Sequence, residues 1–459
     1  MFENIDRITI HASSTVRQAM ECISQGLTLN GELGISLVVD DNSKLLGVIT
    51  DGDIRRGLLS GKNLEDKVTE VMTRKPVTTF EGSSYHQLLR MFEKGVRHIP
   101  VIDQKSNVCD LILYSDLHLY NSPATTIFRA KAPVRISFAG GGTDMTSVFE
   151  RSGGAVISVT IDRYCYADLI VRNDSKIVIK SHDYKQTVEV NSFNDLIYDG
   201  RLDLVKAAIK VCKPDFGFEL YTQSDIAPGS GLGGSATLAV AVIGLFETFR
   251  YEHPNDYRIA DLAFQAERVE LGIQGGWQDQ YASVFGGLNY IEFDDREVVV
   301  QPLRLAKRVR YELESNLLLC FTGITRNSGG VHASNIVTEN SSNSYSYKSM
   351  IDLSKDLRKS LLKGDLQGFG ELLDKAWWLK KEMFKEVTND QVDKIYQIAR
   401  NNGAVGGKLL GAGRGGYLLF YCDPLKKNLV SQALRKQGFD ILSFNLDFNG
   451  LQLWHSDVS

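Results

Sequence analysis

The stretch Asp225-Ile226-Ala227-Pro228-Gly229-Ser230-Gly231-Leu232-Gly233-Gly234-Ser235-Ala236-Thr237 runs straight into the apolar segment Leu238–Phe246. Four glycines between 229 and 234 followed by such a segment predict a tight loop with a buried helix behind it. Glycine lets the backbone turn sharply and come close to a ligand. A helix starting near Gly234 presents unpaired N–H groups and the positive end of its dipole to that loop. Such a terminus is a seat for phosphate. Ser235 and Thr237 add hydroxyls suited to a phosphate oxygen or a hydrated Mg²⁺. A plain linker explains this poorly, because ordering so many glycines costs entropy that a linker does not recover.

Gly229-x-Gly231-x-x-Gly234 also has dinucleotide spacing, but that fold needs strand, helix and a second strand ending in an acidic residue. Here His253-Pro254-Asn255-Asp256 leads into another helical pattern, so the second strand is missing. Gly411-Ala412-Gly413-Arg414-Gly415-Gly416 fails for a related reason, since it leads into the strand-like Tyr417–Tyr421. Gly407-Lys408 continues with Leu409, so there is no G-x-x-x-x-G-K-[ST] and no P-loop NTPase. With Phe138-Ala139-Gly140-Gly141-Gly142-Thr143-Asp144, three glycine clusters are present. Together they predict loops converging on one polyanionic ligand.

The first 120 residues contain a duplication. Val38–Asp53 overlays Val101–Asp116 at an offset of 63, with Asp40 on Asp103 and Ser43 on Ser106. Upstream the offset is 69, pairing Ser14 with Ser83, Gln18 with Gln87 and Gly26 with Gly95. Each copy reads as helix, strand, tight turn, strand and helix. After a polar joint at Asn121–Thr126, short β-rich runs cover Val134–Ala139, Ala155–Ile161, Tyr164–Val171, Lys176–Lys180 and Phe216–Gln223. Helical periodicity then dominates to about Leu271, and later strands mix with long helices, which predicts α+β rather than repeated βαβ units. The expected divisions are residues 1–122, 127–305 and 306–459, the last two forming lobes around a cleft.

The duplicated segment resembles a tandem of cystathionine-β-synthase-type (CBS) motifs of the βαββα type. In that family the second strand ends in Gly-x-x-Thr-x-x-Asp, whose Thr and Asp contact an adenine nucleotide. Gly47, Thr50 and Asp53 match in the first copy; the second keeps Asp116 but has Asp110 for the glycine and Leu113 for the threonine. Nucleotide site and plain dimer scaffold stand as equal readings, since Thr50 and Asp53 also suit a helix cap.

The remainder resembles a GHMP-superfamily small-molecule kinase, with three family motifs in order: Ala132–Phe138, Pro228–Ala236 and Lys408–Gly416. The Gly-Gly-Gly-Thr-Asp-Met version, together with Gly275-Gly276-Trp277-Gln278-Asp279-Gln280-Tyr281, is most similar to the D-glycero-D-manno-heptose 7-phosphate kinases. The resemblance implies a two-lobed kinase fold, ATP and Mg²⁺, and phosphorylation of a heptose 7-phosphate at its anomeric hydroxyl to a 1,7-bisphosphate. It places the ATP phosphates at Pro228, Gly229, Ser230, Gly231, Leu232, Gly233, Gly234, Ser235 and Ala236, and Mg²⁺ at Ser235 and Glu267. It makes Asp279 the general base, or a group that merely orients the acceptor, and sets Arg135 beside it. Sugar contacts fall to Gly141, Gly142, Thr143, Asp144, Gln280, Gly411 and Gly413. Arg326, Lys408 and Arg414 are candidates for the substrate's own phosphate, with an outward-pointing Arg414 equally open. The plain alternatives are an N-cap for Asp279, a solvated helix face for Glu267 and a surface pair for Arg135.

Charge adds little. Lys plus Arg total 52 against 56 Asp plus Glu, a net charge of -4, which makes no electrostatic case for nucleic acid or an anionic membrane. Six scattered cysteines without a C-x-x-C pair read as reduced. No basic region precedes an apolar core near Met1, and Leu238–Phe246 falls far short of the ~20 residues that span a bilayer. The expectation is a cytoplasmic protein with a sugar-phosphate substrate, an adenine nucleotide at the CBS pair and a homodimer through that pair. A fucose- or galactose-type kinase and an inactive nucleotide-binding regulator are the competing readings.

Overall fold

The duplication is visible strand by strand in the computed structural model, which describes residues 5–30, 34–115, 117, 125–250, 254–325, 341–384 and 386–458. The first copy runs β1 (Thr9–His11), α1 (Val16–Asn30), β2 (Ile35–Val39), β3 (Leu45–Thr50) and α2 (Asp51–Leu59); the second runs β4 (Thr79–Phe80), α3 (Tyr85–Phe92), β5 (His98–Ile102) and β6 (Val108–Leu113). In each, the first strand lies parallel to the second and the second antiparallel to the third. The hairpin turns show why the offset of 63 is kept. Ser43 (φ 62°) and Ser106 (φ 68°) both sit in the left-handed region. Asp40 Oδ1 accepts from Asn42 N and Lys44 N, each at 2.9 Å, and Asp103 Oδ1 from Lys105 N and Asn107 N, each at 2.8 Å. An aspartate at the first turn position thus stabilises a backbone that serine alone disfavours. Ile35, Leu37 and Val48 share one core with Leu111 and Leu113, so neither copy buries its sheet alone.

Thr50 caps α2, which begins at Asp51, in a capping box with Asp53. The Asp53 carboxylate also accepts from Thr50 Oγ1 at 2.6 Å, Arg56 Nη2 at 2.6 Å and Thr73 Oγ1 at 3.1 Å. Both residues are therefore already engaged as a cap. Asp116 lies outside the described residues.

The chain divides into two compact units, Met1–Thr125 with Asp457–Ser459, and Thr126–Ser456. The second is built on β7 (Thr125–Ala139), α4 (Thr146–Ser152), β8 (Gly154–Val171), β9 (Ile177–Ser181), β10 (Gln186–Val190), α5 (Asp203–Cys212), β11 (Phe218–Ser224), α6 (Gly234–Thr248), α7 (Asp256–Phe264), α8 (Gln278–Phe285), β12 (Leu288–Phe293) and β13 (Val298–Pro302). The main path of this sheet is β10-β9-β11-β8-β12-β13, with β7 on the other flank of β8. β8 corrects the expectation of two separate strands at 155–161 and 164–171. Its first half pairs β12 and its second half pairs β11, while β7 runs along both through a bulge at Pro133/Arg135. The polar Asp162-Arg163 break that reads as a turn is only the change of partner.

Helix α6 is apolar all round, and every residue from Ala236 to Glu247 is buried. At about 1.5–3 kcal/mol for each buried Leu, Ile, Val or Phe, such a helix anchors the loop before it. A second sheet, β15 (Ala404–Leu409), β16 (Tyr417–Cys422), β14 (Leu317–Phe321) and β17 (Ile441–Leu442), packs with the helix Leu366–Met383, and the helix Ser341–Lys363 lies between that helix and β8. The division at 305/306 does not hold to the end of the chain. β18 (Leu446–Asp447) pairs β8, and β19 (Gln452–Val458) pairs β7, so the last strands complete the first sheet. Alternating apolar residues in Leu451–Trp454 cannot say which sheet they join.

Candidate active site

The glycine loop before α6 turns where the sequence requires it. Gly233 occupies the position before the helix at φ 81°, and a Cβ there would lie 3.2 Å from Asp279 Oδ2. The C-terminal glycine cluster holds this loop from behind. Gly416 (φ 96°) comes so close that a Cβ would sit 2.3 Å from Ser230 O, and Tyr417 N donates to that carbonyl at 3.1 Å.

The loop forms one wall of a cavity of about 430 Å³. Arg135, on β7, is 4% exposed and grips Asp279 Oδ1 with Nε at 2.8 Å and Nη2 at 2.6 Å. Its Nη1 donates to Gly231 O at 2.7 Å, so one guanidinium ties the carboxylate to the glycine loop. Asp279 sits in the first turn of α8 and is not its N-cap, which is Trp277. The Trp277 ring stacks on Phe264 at 3.7 Å, and its Nε1 donates to Thr146 Oγ1 at 2.9 Å. That pins the turn before α8 against the Asp144–Thr146 loop. Asp144 accepts from Gly142 N at 2.8 Å, Gln278 N at 3.2 Å and Gln278 Nε2 at 3.0 Å. Burial, and then the Asp279 carboxylate nearby, raises its pKa, against the N–H bonds from Gly142 and Gln278.

Glu267 is 2% exposed, which removes the solvated-face alternative. The helix after α7 widens into a π-turn over Gln265–Glu270, turning Glu267 inward while Val269 is left 68% exposed. π-turns of this kind recur at functional sites. Glu267 Oε1 accepts from Ser235 Oγ at 2.7 Å, and Oε2 accepts from Gln280 Nε2 at 2.9 Å. Two hard oxygen donors side by side suit Mg²⁺, which commonly takes one or two protein ligands and completes its shell with phosphates and water. Among the described residues no group of three or more His, Cys, Asp and Glu is placed to hold a metal.

Several sequence-derived residues stand elsewhere than expected. Thr143 is fully buried and does not line the cavity; its Oγ1 donates to Gly140 O at 2.8 Å and accepts from Ala155 N at 3.0 Å. It braces the loop and leaves the sugar to its neighbours. Thr143→Val should therefore cost about 1–3 kcal/mol of stability, read as a lower urea midpoint, while KM for neither substrate moves. Gln280 is likewise buried behind Glu267, and Gly413 packs against Val387. Leu232 and Ala236 face the core, whereas Pro228, Gly229, Ser230, Gly231, Gly233, Gly234 and Ser235 line the cavity. Gly141, Gly142, Asp144 and Gly411 line it too. Arg414 points outward, 44% exposed and paired with Glu386; Arg326 lies outside the described residues.

Three features carry no sequence signal. Lys380 reaches the cavity from the last turn of its helix and donates to Gly411 O at 2.6 Å. Arg268 donates to the carbonyls of Ile273 at 3.2 Å and Gln274 at 3.1 Å, shaping the turn that delivers Asp279. Tyr184, Gln186, Leu202 and Val205 line the remaining wall.

Comparison with known proteins bears directly on this cavity. The chain is 38% identical over 334 residues to the D-glycero-alpha-D-manno-heptose 7-phosphate kinase of Campylobacter jejuni, covering 71% of this chain and 98% of that protein. The chain belongs to the GHMP kinases. Residues 203–287 match the GHMP kinases N terminal domain and residues 357–440 the GHMP kinases C terminal, while 3–60 and 68–120 each match a CBS domain. Among solved structures, this GHMP kinase resembles a D-glycero-D-manno-heptose 1-phosphate kinase from Bacteriodes thetaiotaomicron, with a TM-score of 0.61 and 30% identity over 71% of this chain and 98% of that one. It also resembles a putative sugar kinase from Campylobacter jejuni, with a TM-score of 0.61 and 36% identity over 73% and 100%. It is an enzyme of the GHMP kinase family, whose members use ATP as substrate, joined to two CBS domains. No helix among the described residues is long and apolar enough to cross a membrane.

Proposed function

We propose that this GHMP kinase transfers the γ-phosphoryl group of ATP to the anomeric hydroxyl of D-glycero-D-manno-heptose 7-phosphate, forming the 1,7-bisphosphate. The observation that carries the reading is the Arg135–Asp279 pair, held at 2.6 and 2.8 Å beneath Gly233 of the phosphate loop. In this reading the α6 N-terminus and the 228–235 loop hold the triphosphate. Ser235 and Glu267 hold Mg²⁺, which when bound neutralises phosphate charge. Asp279 takes the proton of the acceptor hydroxyl as its oxygen bonds to the γ-phosphorus; the β–γ bridging P–O bond breaks and ADP departs. Arg135 keeps Asp279 aimed and offers positive charge where the transferring group passes. Asp144, with Gly141 and Gly142, orients the sugar.

The test is ADP release with heptose 7-phosphate, unphosphorylated heptose, L-fucose and galactose, with and without Mg²⁺. We expect kcat/KM for the phosphorylated heptose to exceed the others by about 10²-fold or more. Equal use of fucose would move the assignment to that sugar, and no turnover of any would leave an inactive regulator.

We also read the CBS pair as an adenine-nucleotide-responsive dimerisation module. Its support is the match to two CBS domains; Thr50 and Asp53, engaged here as the cap of α2, stand at the end of β3 where that family's contact residues fall. AMP titrated calorimetrically into the full chain should give heat that Thr50→Val diminishes. Absence of heat would leave only a scaffold, and sedimentation of the full chain as a monomer would remove that too.

A further inference from the structure

One lysine in the wall of the cavity carries a charge that no described residue pairs with. Lys408, the penultimate residue of strand β15, is 4% exposed and lines the cavity. Its ammonium has no hydrogen bond or ion pair among the described residues. Burial first, then the charges of Lys380 and Arg135, holds it well below the ordinary lysine range, opposed only by Asp144. Lys380 is 8% exposed, and its bond to Gly411 O fixes it on the same wall. The nearest carboxylates are already engaged, Asp279 by Arg135 and Asp144 by Gly142 and Gln278. A buried cation is costly unless an anion meets it. Here that anion has to arrive with a ligand.

The position says which ligand. Phe384 follows the helix that bears Lys380, and its ring lies 4.0 Å from where a Cβ of Gly142 would sit. The lysines thus belong with the Gly141–Asp144 loop. The wall lined by Ser181 and Gln186 comes instead from β9 and β10, at the outer edge of the first sheet. The triphosphate already has the α6 N-terminus, Arg135 and the Ser235–Glu267 pair. We propose that Lys408, with Lys380 beside it, seats the phosphate that the acceptor sugar already carries, and so selects a sugar phosphate over a free sugar. The proposal rests on the reading of this cavity as a sugar-phosphate kinase site. It also sets aside one of the three sequence candidates, since Arg414 is turned away and paired with Glu386.

The experiment uses the full chain and its Lys408→Met, Lys380→Met and Lys408→Arg variants, each checked for cooperative melting. The readout is the ratio of kcat/KM for heptose 7-phosphate to that for unphosphorylated heptose, with KM for ATP measured alongside. Losing a charge-assisted contact to phosphate should lower the ratio about 30-fold in Lys408→Met, through KM for the sugar phosphate, with Lys408→Arg recovering part of it. If Lys408→Met does not fold, Lys380→Met reads the same ratio. An unchanged ratio in the folded variants overturns the proposal. So does an equal loss for both sugars with a raised KM for ATP, because it places the lysines on the γ-phosphate. A parent enzyme that shows no preference for the phosphorylated heptose instead overturns the underlying substrate reading.

Discussion

Asp279→Asn should lower kcat by about 10²–10⁴-fold, the range that general-base catalysis supplies. The amide keeps the shape of the carboxylate and one acceptor for Arg135, so the protein should fold and bind ATP. Removing the negative charge leaves the buried Arg135 without its counter-ion beside Gly231 and Gly233. Its charge then falls on the phosphates alone, and ATP should bind as tightly as before or tighter. The measurement pairs single-turnover phosphoryl transfer with ATP calorimetry. A large loss of kcat with intact ATP affinity fits a proton acceptor. Full phosphoryl transfer by the variant would remove Asp279 from the chemistry, and a collapse of ATP affinity would make it a structural part of the loop.

Glu267→Gln should cost about 10²–10³-fold in kcat/KM at limiting Mg²⁺, with part of the loss recovered as Mg²⁺ is raised. The carboxylate is buried and holds Ser235 Oγ at 2.7 Å and Gln280 Nε2 at 2.9 Å. Glutamine keeps one oxygen for Ser235 but turns an N–H₂ toward Gln280 Nε2 and toward Arg268 Nη2, which pairs with Oε2 at 3.3 Å; a flip of Gln280 relieves the first clash and a small shift of Arg268 the second. Gln280 Oε1 is buried without a partner, which makes that flip a ready accommodation. The variant is therefore expected to remain folded, and the diagnostic is the shift of the Mg²⁺ dependence. A loss that no concentration of Mg²⁺ relieves, with an unmoved Mg²⁺ midpoint, would take the metal away from Glu267.

What the sequence disclosed and what it hid follow from how each residue does its work. The phosphate loop was legible because glycine at Gly229, Gly231 and Gly233 answers a backbone requirement, which leaves a mark in composition. Asp40 and Asp103 were legible as a pair because identical turns need identical side chains. Glu267 lies in a helical pattern beside Arg268 and Glu270, and only the π-turn shows which of the two carboxylates points inward. Lys380 reads as an ordinary lysine in the last turn of a helix, where positive charge is favoured anyway. Thr143 was misplaced because a motif records that a hydroxyl is needed but not whether backbone or substrate receives it. β8 was split because a change of strand partner and a turn both tolerate Asp162-Arg163.

The return of β18 and β19 to the first sheet has a consequence for how the polypeptide is made. A ribosome delivers residues at roughly 5–20 per second, and domains usually fold as they emerge. Here β7 and β8 are delivered early, while the strands that pair them at Leu446–Asp447 and Gln452–Val458 come more than 250 residues later. The phosphate-binding half of the kinase must wait for nearly the whole chain, with the outer edge of β7 and a short gap on β8 uncovered in the interval. Synthesis that stops short of residue 446 should therefore release an aggregating fragment, not a half-kinase with a working nucleotide loop.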